Sequence, residues 1–119
     1  MKLNWVTFKV SDLDKSIFFY KNLLDLEISA KFGSEGHQIV MLGKEGEAKI
    51  ELIFESNNII ENPGNGVSIG LEADNLDLLV NVLKEHGYKA SDPISPNQHI
   101  RFFYVQDPDG YTVQLVEQK

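Results

Sequence analysis

The sequence predicts an α+β domain built from two βαβββ modules, and three observations carry that prediction. Apolar residues alternate with polar ones and then switch to helical spacing, twice along the chain. The two halves superimpose at a single offset of 63 residues, which places Ser11 on Asp74, Leu13 on Leu76, Asp14 on Asp77 and Ile50-Glu51-Leu52 on Val113-Gln114-Leu115. All four prolines, at positions 63, 93, 96 and 108, fall between predicted elements or at their ends, where a missing N–H does no harm. The expected organisation is a first module over residues 1–58, a linker over 59–65 and a second module over 66–119.

Residues 3–10 form the opening strand, with Val6, Phe8 and Val10 on one face and Trp5, Thr7 and Lys9 on the other. Ser11, with Asp14 three residues on, resembles a helix N-cap with a weak capping box. Leu13, Ile17, Tyr20 and Leu24 continue at helical spacing, so a helix is predicted from Asp12 to Leu24. Three strands follow, Leu26–Phe32, Gln38–Leu42 and Lys49–Glu55, separated by glycine-bearing turns at 33–36 and 43–46.

The second module restarts the pattern with Val67, Ile69, Leu71 and Ala73 alternating in a strand. Asp74, with Asp77 at +3, opens a helix whose Leu76, Leu79, Val80 and Leu83 share one face and which stops at His86-Gly87. Tyr88–Ser91 is a short strand candidate limited by proline. Ile100–Gln106 and Tyr111–Gln118 form a hairpin around Asp107-Pro108-Asp109-Gly110, a sequence suited to a tight turn.

A chain of 119 residues and 13.5 kDa with 42% hydrophobic residues is one domain that can bury a core. Eleven Lys and Arg against eighteen Asp and Glu give a net charge of −7, which opposes attraction to phosphate backbones and anionic lipid. Neither nucleic acid nor a membrane surface is therefore expected as a partner. The absence of cysteine excludes disulfides, thiolate metal sites and a cysteine nucleophile, and fits a reducing cytoplasm. Charged residues interrupt the N-terminal segment at Lys2, Lys9 and Asp12, and no stretch approaches the roughly 18 apolar residues of a span. No signal peptide and no transmembrane helix are expected.

With Val6, Phe8 and Val10 under one helix and Val67, Ile69 and Leu71 under the other, a second face of each sheet stays open. It carries Trp5, Thr7, Lys9, Lys49, Glu51, Ile53 and Glu55 in the first module. In the second it carries Ser68, Gly70, Glu72, Thr112, Gln114 and Val116. A mixture of Trp, Glu, Gln and Ile suits the wall of a ligand pocket better than open water.

Three segments resemble a known family: Val10-Ser11-Asp12-Leu13-Asp14-Lys15-Ser16-Ile17-Phe18-Phe19-Tyr20, the strand Ile50-Glu51-Leu52, and Asp107-Pro108-Asp109-Gly110-Tyr111 followed by Gln114-Leu115. They are similar to the vicinal oxygen chelate superfamily, which includes glyoxalase I, bleomycin-resistance proteins, fosfomycin-resistance enzymes and extradiol dioxygenases. The resemblance covers essentially the whole chain. It implies a U-shaped mixed sheet from two modules with helices on the convex face, commonly in a homodimer with the pocket at the interface.

In metal-dependent members the cleft ion is held by one residue from each first strand and one from each last strand. Carried over residue by residue, those positions are Trp5, Glu51, Ser68 and Gln114, and they obey the offset of 63. Trp has no ligand lone pair, a neutral Ser hydroxyl is a poor donor and Gln is a weak one, so only Glu51 is a good ligand. No metal and no other cofactor is therefore expected; a divalent ion enters only under an alternative enzymatic reading. The glutathione-anchoring pattern is incomplete as well. Lys9 stands where glyoxalase I has an arginine, and Glu55 replaces an asparagine, which puts a negative charge against an anionic conjugate.

These residues point first to a metal-independent small-molecule binding protein that sequesters a cationic or aromatic compound, with bleomycin resistance as the nearest pattern. Trp5, Thr7, Lys9, Glu51, Ile53, Ser68, Phe102, Tyr104 and Gln114 are the candidate ligand-binding residues, Phe102 and Tyr104 by family analogy. The alternative is a lactoylglutathione lyase-like enzyme or isomerase, or a dioxygenase-type enzyme, with an altered metal site. A metal-free variant of it uses Glu51 as the catalytic general base. A third possibility is an interaction module whose open sheet face binds another protein. Glu51 itself is either an acidic anchor in an aromatic pocket, whose charge is balanced by Lys49, Lys9 or a ligand cation, or an ordinary sheet glutamate paired with lysine. His37 and His99 flank predicted strands and His86 ends a helix, where imidazolium complements the dipole. None of the three occupies a family ligand position.

Overall fold

Two helix caps 63 residues apart organise the backbone. In the computed structural model the Asp12 carboxylate accepts the Lys15 N–H at 3.1 Å and the Asn75 amide oxygen accepts the Leu78 N–H at 3.2 Å. Each cap lies one residue beyond the expected Ser11 and Asp74, because the helices begin at Leu13 and Leu76 and the cap must directly precede the first helical residue. The structure describes residues 1–57, 59–60 and 63–118. The expected end of the first module at Asn58, the linker positions Glu61 and Asn62, and Lys119 lie outside the described residues. The chain divides into two compact units, Met1–Glu61 and Asn62–Lys119.

The first unit runs β1 (Trp5–Val10), α1 (Leu13–Ile17), β2 (Ile28–Ser34), β3 (His37–Leu42) and β4 (Lys49–Glu55), with sheet order β1-β4-β3-β2. Strand β4 pairs with β1 in parallel and with β3 in antiparallel register. One face buries Phe8, Val10, Val40, Leu42, Ile50 and Leu52 together with Phe19, Tyr20 and Leu23. Phe54, expected with Ile50 and Leu52, is only half-buried.

The helix predicted as regular α over 12–24 changes character after Ile17. Residues Phe18–Leu23 form a π-helical segment in which the Leu24 N–H reaches back five residues to the Phe19 carbonyl at 3.0 Å. The wider turn accompanies the burial of Phe19, Tyr20 and Leu23, and the rings of Phe19 and Tyr20 meet edge to face at 4.9 Å. Asp25, with φ of 61°, then turns the chain toward β2. On α1 the Ser16 hydroxyl is fully buried and lacks a hydrogen-bond partner among the described residues. Ser16→Ala removes that desolvated group at little cost in volume, so it is expected to raise unfolding free energy by about 1 kcal/mol. Urea titration checks this, and a destabilised alanine variant contradicts it.

The second unit runs β5 (Ser68–Glu72), α2 (Leu76–Glu85), β6 (Ile94–Asn97), β7 (Ile100–Gln106) and β8 (Thr112–Gln118), in order β5-β8-β7-β6. The offset reappears in the pairing: Thr7 opposes Glu51 and Gly70 opposes Gln114. Leu76, Val80 and Leu83 of α2 are buried, as are Phe103, Val105, Val113 and Leu115 of the sheet. Val67, expected in the buried strand set, lies just before β5 and is exposed. The strand expected at Tyr88–Ser91 is reduced to one bridge between Ala90 and Val105, and the pairing continues in β6 instead. Pro96 therefore sits inside a strand. It is tolerated there because β6 is an edge, and the register with β7 is irregular between Ile94 and Asn97.

Arg101 of β7 joins α2 to the sheet. Its Nη2 lies 3.0 Å from Asp77 Oδ2 and 2.9 Å from Glu117 Oε2, and its guanidinium carbon lies 5.9 Å from the Phe103 ring centre. The β7–β8 turn is organised by Asp107, which is 4% exposed and whose Oδ1 accepts the N–H groups of both Asp109 and Tyr111 at 2.9 Å. Burial, and then the charge of Asp107, push the Tyr88 phenol above its ordinary value of 10.0. An acid whose folded pKa is raised binds its proton more tightly in the native state, so stability falls as pH rises above about 10. Tyr88→Phe is expected to flatten that alkaline loss in pH-dependent urea unfolding; an unchanged slope contradicts it.

Candidate functional site

The parallel pairing of β1 with β4 arranges the open face of the first unit in rows. Thr7, Glu51, Met41 and Ala30 form one row across the four strands, and Lys9, Ile53, Ile39 and Phe32 form the next. Trp5 lies at the β1 end opposite Lys49 and is 51% exposed, so its indole does not bury itself as a core plug. All five residues proposed from this half of the sequence, Trp5, Thr7, Lys9, Glu51 and Ile53, thus share one sheet face.

The Thr7 hydroxyl donates to Glu51 Oε1 at 2.6 Å. Lys49, one candidate to neutralise Glu51, instead directs its ammonium to the carbonyls of Lys44 and Glu47 at 3.0 and 3.1 Å. Glu51 is a half-buried carboxyl tied to a hydroxyl, with Met41, Ile39 and Ile53 on one side of its face and Lys49 and Lys9 also on that face. Farther along the same face, His37 Nδ1 lies 3.6 Å from Glu55 Oε1. The sequence reading missed Met41 and Ile39. Their alternation with buried Val40 and Leu42 was the available signal.

In the second unit, Tyr104 opposes Gln114 and Phe102 opposes Val116, which puts both aromatics on the face of Gly70 and Gln114. Their rings meet at 5.5 Å and 75°. Ser68, Thr112 and Gln106 form the neighbouring row, a strip of neutral hydrogen-bonding side chains. That strip borders an open depression of about 480 Å³ whose other wall is the 63–67 loop and Gly110. Gly64 of that loop, with φ of 59°, approaches Tyr111 so closely that a Cβ would lie 2.9 Å from the ring. Alternation placed Thr112 on the open face, whereas Gln106 was not singled out from sequence, since its place in the row depends on the register of β7 with β8.

A sequence profile for the Glyoxalase/Bleomycin resistance protein/Dioxygenase superfamily matches residues 2–115. The chain belongs to this superfamily. A probable lactoylglutathione lyase from Synechocystis is 31% identical over 117 residues, covering 92% of this chain and 89% of the relative. A glyoxalase family protein from Bacillus cereus superimposes with a TM-score of 0.85 at 20% identity over 99% of this chain and 94% of the other. An antibiotic binding protein from Streptomyces superimposes with a TM-score of 0.74 at 20% identity, covering 100% and 97% of the two chains. No helix is long and apolar enough to cross a membrane among the described residues.

Glyoxalase-type chemistry in this superfamily draws on a divalent ion. The residues that the resemblance matches to its ligand positions are mostly poor donors for one: in the first unit Trp5 offers no lone pair and Glu51 is an anionic donor, and in the second Ser68 and Gln114 offer only neutral oxygens. Among the described residues no three His, Asp or Glu side chains gather as a metal cluster.

Proposed function

We propose that this superfamily member is a metal-independent small-molecule binding protein that sequesters a cationic, aromatic compound, with Glu51 as its acidic anchor. The observation that carries this reading is the Thr7–Glu51 pair on a sheet face that also presents Trp5, Ile39, Met41 and Ile53, with the neighbouring lysine ammonium of Lys49 engaged elsewhere. A cation or N–H donor brought to that face meets a carboxylate and an exposed indole. The net charge of −7 favours the same ligand sign. Trp5, Lys9 and Ile53 complete the first face; Ser68, Phe102, Tyr104 and Gln114 are the corresponding contacts of the second unit. A homodimer belongs to this reading, and sedimentation equilibrium tests it.

Trp5 is the only tryptophan, so intrinsic fluorescence reports on the site directly. Titration with benzylammonium is expected to change Trp5 emission saturably at millimolar concentrations. Linear, non-saturating quenching counts against the proposal.

A second reading is favoured by one observation, the 31% identity to a probable lactoylglutathione lyase. On that reading Glu51 acts as a general base on the methylglyoxal–glutathione adduct. Turnover above background that is lost in Glu51→Gln would establish the lyase and displace sequestration.

A further inference from the structure

Glu51 and Gln114 occupy equivalent places in the two units, yet their cross-strand partners differ. Glu51 faces Thr7, whose hydroxyl holds Oε1 at 2.6 Å. Gln114 faces Gly70, where a Cβ would stand 3.7 Å from Gln114 Oε1 and where no side chain exists to make a bond. The internal repeat thus presents the same structural position in two chemical states: one acceptor tied by a hydroxyl, the other beside a notch. We propose that Thr7 is a positioning residue that makes Glu51 a one-oxygen acceptor, selecting ligands that offer a single N–H or O–H donor. Groups that need both carboxylate oxygens, guanidinium forks and chelated divalent ions, are disfavoured.

The physical basis is the geometry of carboxylate recognition. A guanidinium binds a carboxylate best through two parallel N–H···O bonds, and a bidentate ion likewise uses both oxygens. An ammonium is a point charge with rotatable donors and needs only one oxygen. A hydroxyl donating to Oε1 takes one of that oxygen's two lone pairs and leaves Oε2 untouched, so the one-oxygen mode stays intact while a fork or chelate has to share Oε1 with the hydroxyl. It also restrains the long glutamate side chain, so less rotamer freedom is lost when a ligand docks. Because Thr7 lies on an exposed strand face, the isosteric Thr7→Val removes the hydroxyl while keeping a β-branched residue that suits the strand.

This inference rests on Glu51 being a ligand anchor, and its experiment separates the two. Benzylammonium and benzylguanidinium are titrated against wild type, Thr7→Val and Thr7→Ser, with Trp5 fluorescence as readout. Wild type and Thr7→Ser are expected to prefer benzylammonium, and Thr7→Val to shift the ratio of affinities toward benzylguanidinium by about fivefold or more. Equal ratios in all three proteins overturn the proposal. In the unliganded protein, NMR coupling constants of the Glu51 methylene protons are expected to report one side-chain rotamer in wild type and Thr7→Ser and averaging in Thr7→Val. Averaging already in wild type, or no change in Thr7→Val, overturns it as well. If neither probe binds wild type, the sequestration reading fails, while the coupling constants still decide the role of Thr7.

Discussion

Asp107→Ala is expected to lower unfolding free energy by about 2–4 kcal/mol, the largest stability change expected of any polar substitution described above. The residue is 4% exposed, and one carboxylate oxygen takes two backbone N–H groups, from Asp109 and Tyr111. Alanine leaves both donors without their acceptor in a place that water reaches poorly. The turn is further closed by the Asp107 N–H to the Tyr111 carbonyl at 2.9 Å and the Gly110 N–H to the Asp107 carbonyl at 3.0 Å. Those backbone bonds survive the substitution, so the hairpin β7–β8 loosens rather than loses its register. Asp107→Asn keeps an acceptor oxygen and is expected to recover about half of the loss. Equilibrium urea unfolding of the three proteins checks this; an alanine variant within about 0.5 kcal/mol of wild type contradicts it.

The second large effect concerns the candidate site. Glu51→Gln keeps the size of the side chain and the Thr7 hydrogen bond, since an amide oxygen can also accept. What it removes is charge. A hydrogen bond to an ionised partner is worth about 1.5–3 kcal/mol, so affinity for benzylammonium is expected to fall by at least about tenfold. Binding of neutral benzyl alcohol should change little. Fluorescence titration of both probes separates loss of charge from loss of structure, and an equal drop for both contradicts the anchoring role.

The sequence carried the α+β class, the element order and the faces, because alternation and helical spacing are local properties. Lys49–Glu55 and Ile100–Gln106 emerge with their expected limits for that reason. The caps were off by one residue since Ser11 and Asp12, like Asp74 and Asn75, are adjacent residues of equal capping chemistry. The strand after α2 was misplaced because proline discouraged a strand through Pro96, and only tertiary context makes that position an edge. The π-helical segment over Phe18–Leu23 left no trace in apolar spacing distinguishable from an α-helix.

The candidate site divides along the same line. Membership of Thr7, Glu51 and Ile53 in one face followed from alternation. That Thr7 rather than Trp5 or Lys9 stands opposite Glu51 is a fact of parallel register between strands 44 residues apart, and no local pattern encodes it. The diversion of Lys49 to the carbonyls of Lys44 and Glu47 depends likewise on how the 43–48 turn folds back. Both facts required the structure.

The most direct measurement compares benzylammonium affinity before and after dialysis against EDTA, together with nickel, manganese and zinc titrations of the dialysed protein. Metal-independent anchoring predicts an unchanged dissociation constant and no stoichiometric metal binding. Loss of affinity in EDTA that nickel, manganese or zinc restores, or one-to-one metal binding that disappears in Glu51→Gln, would contradict it.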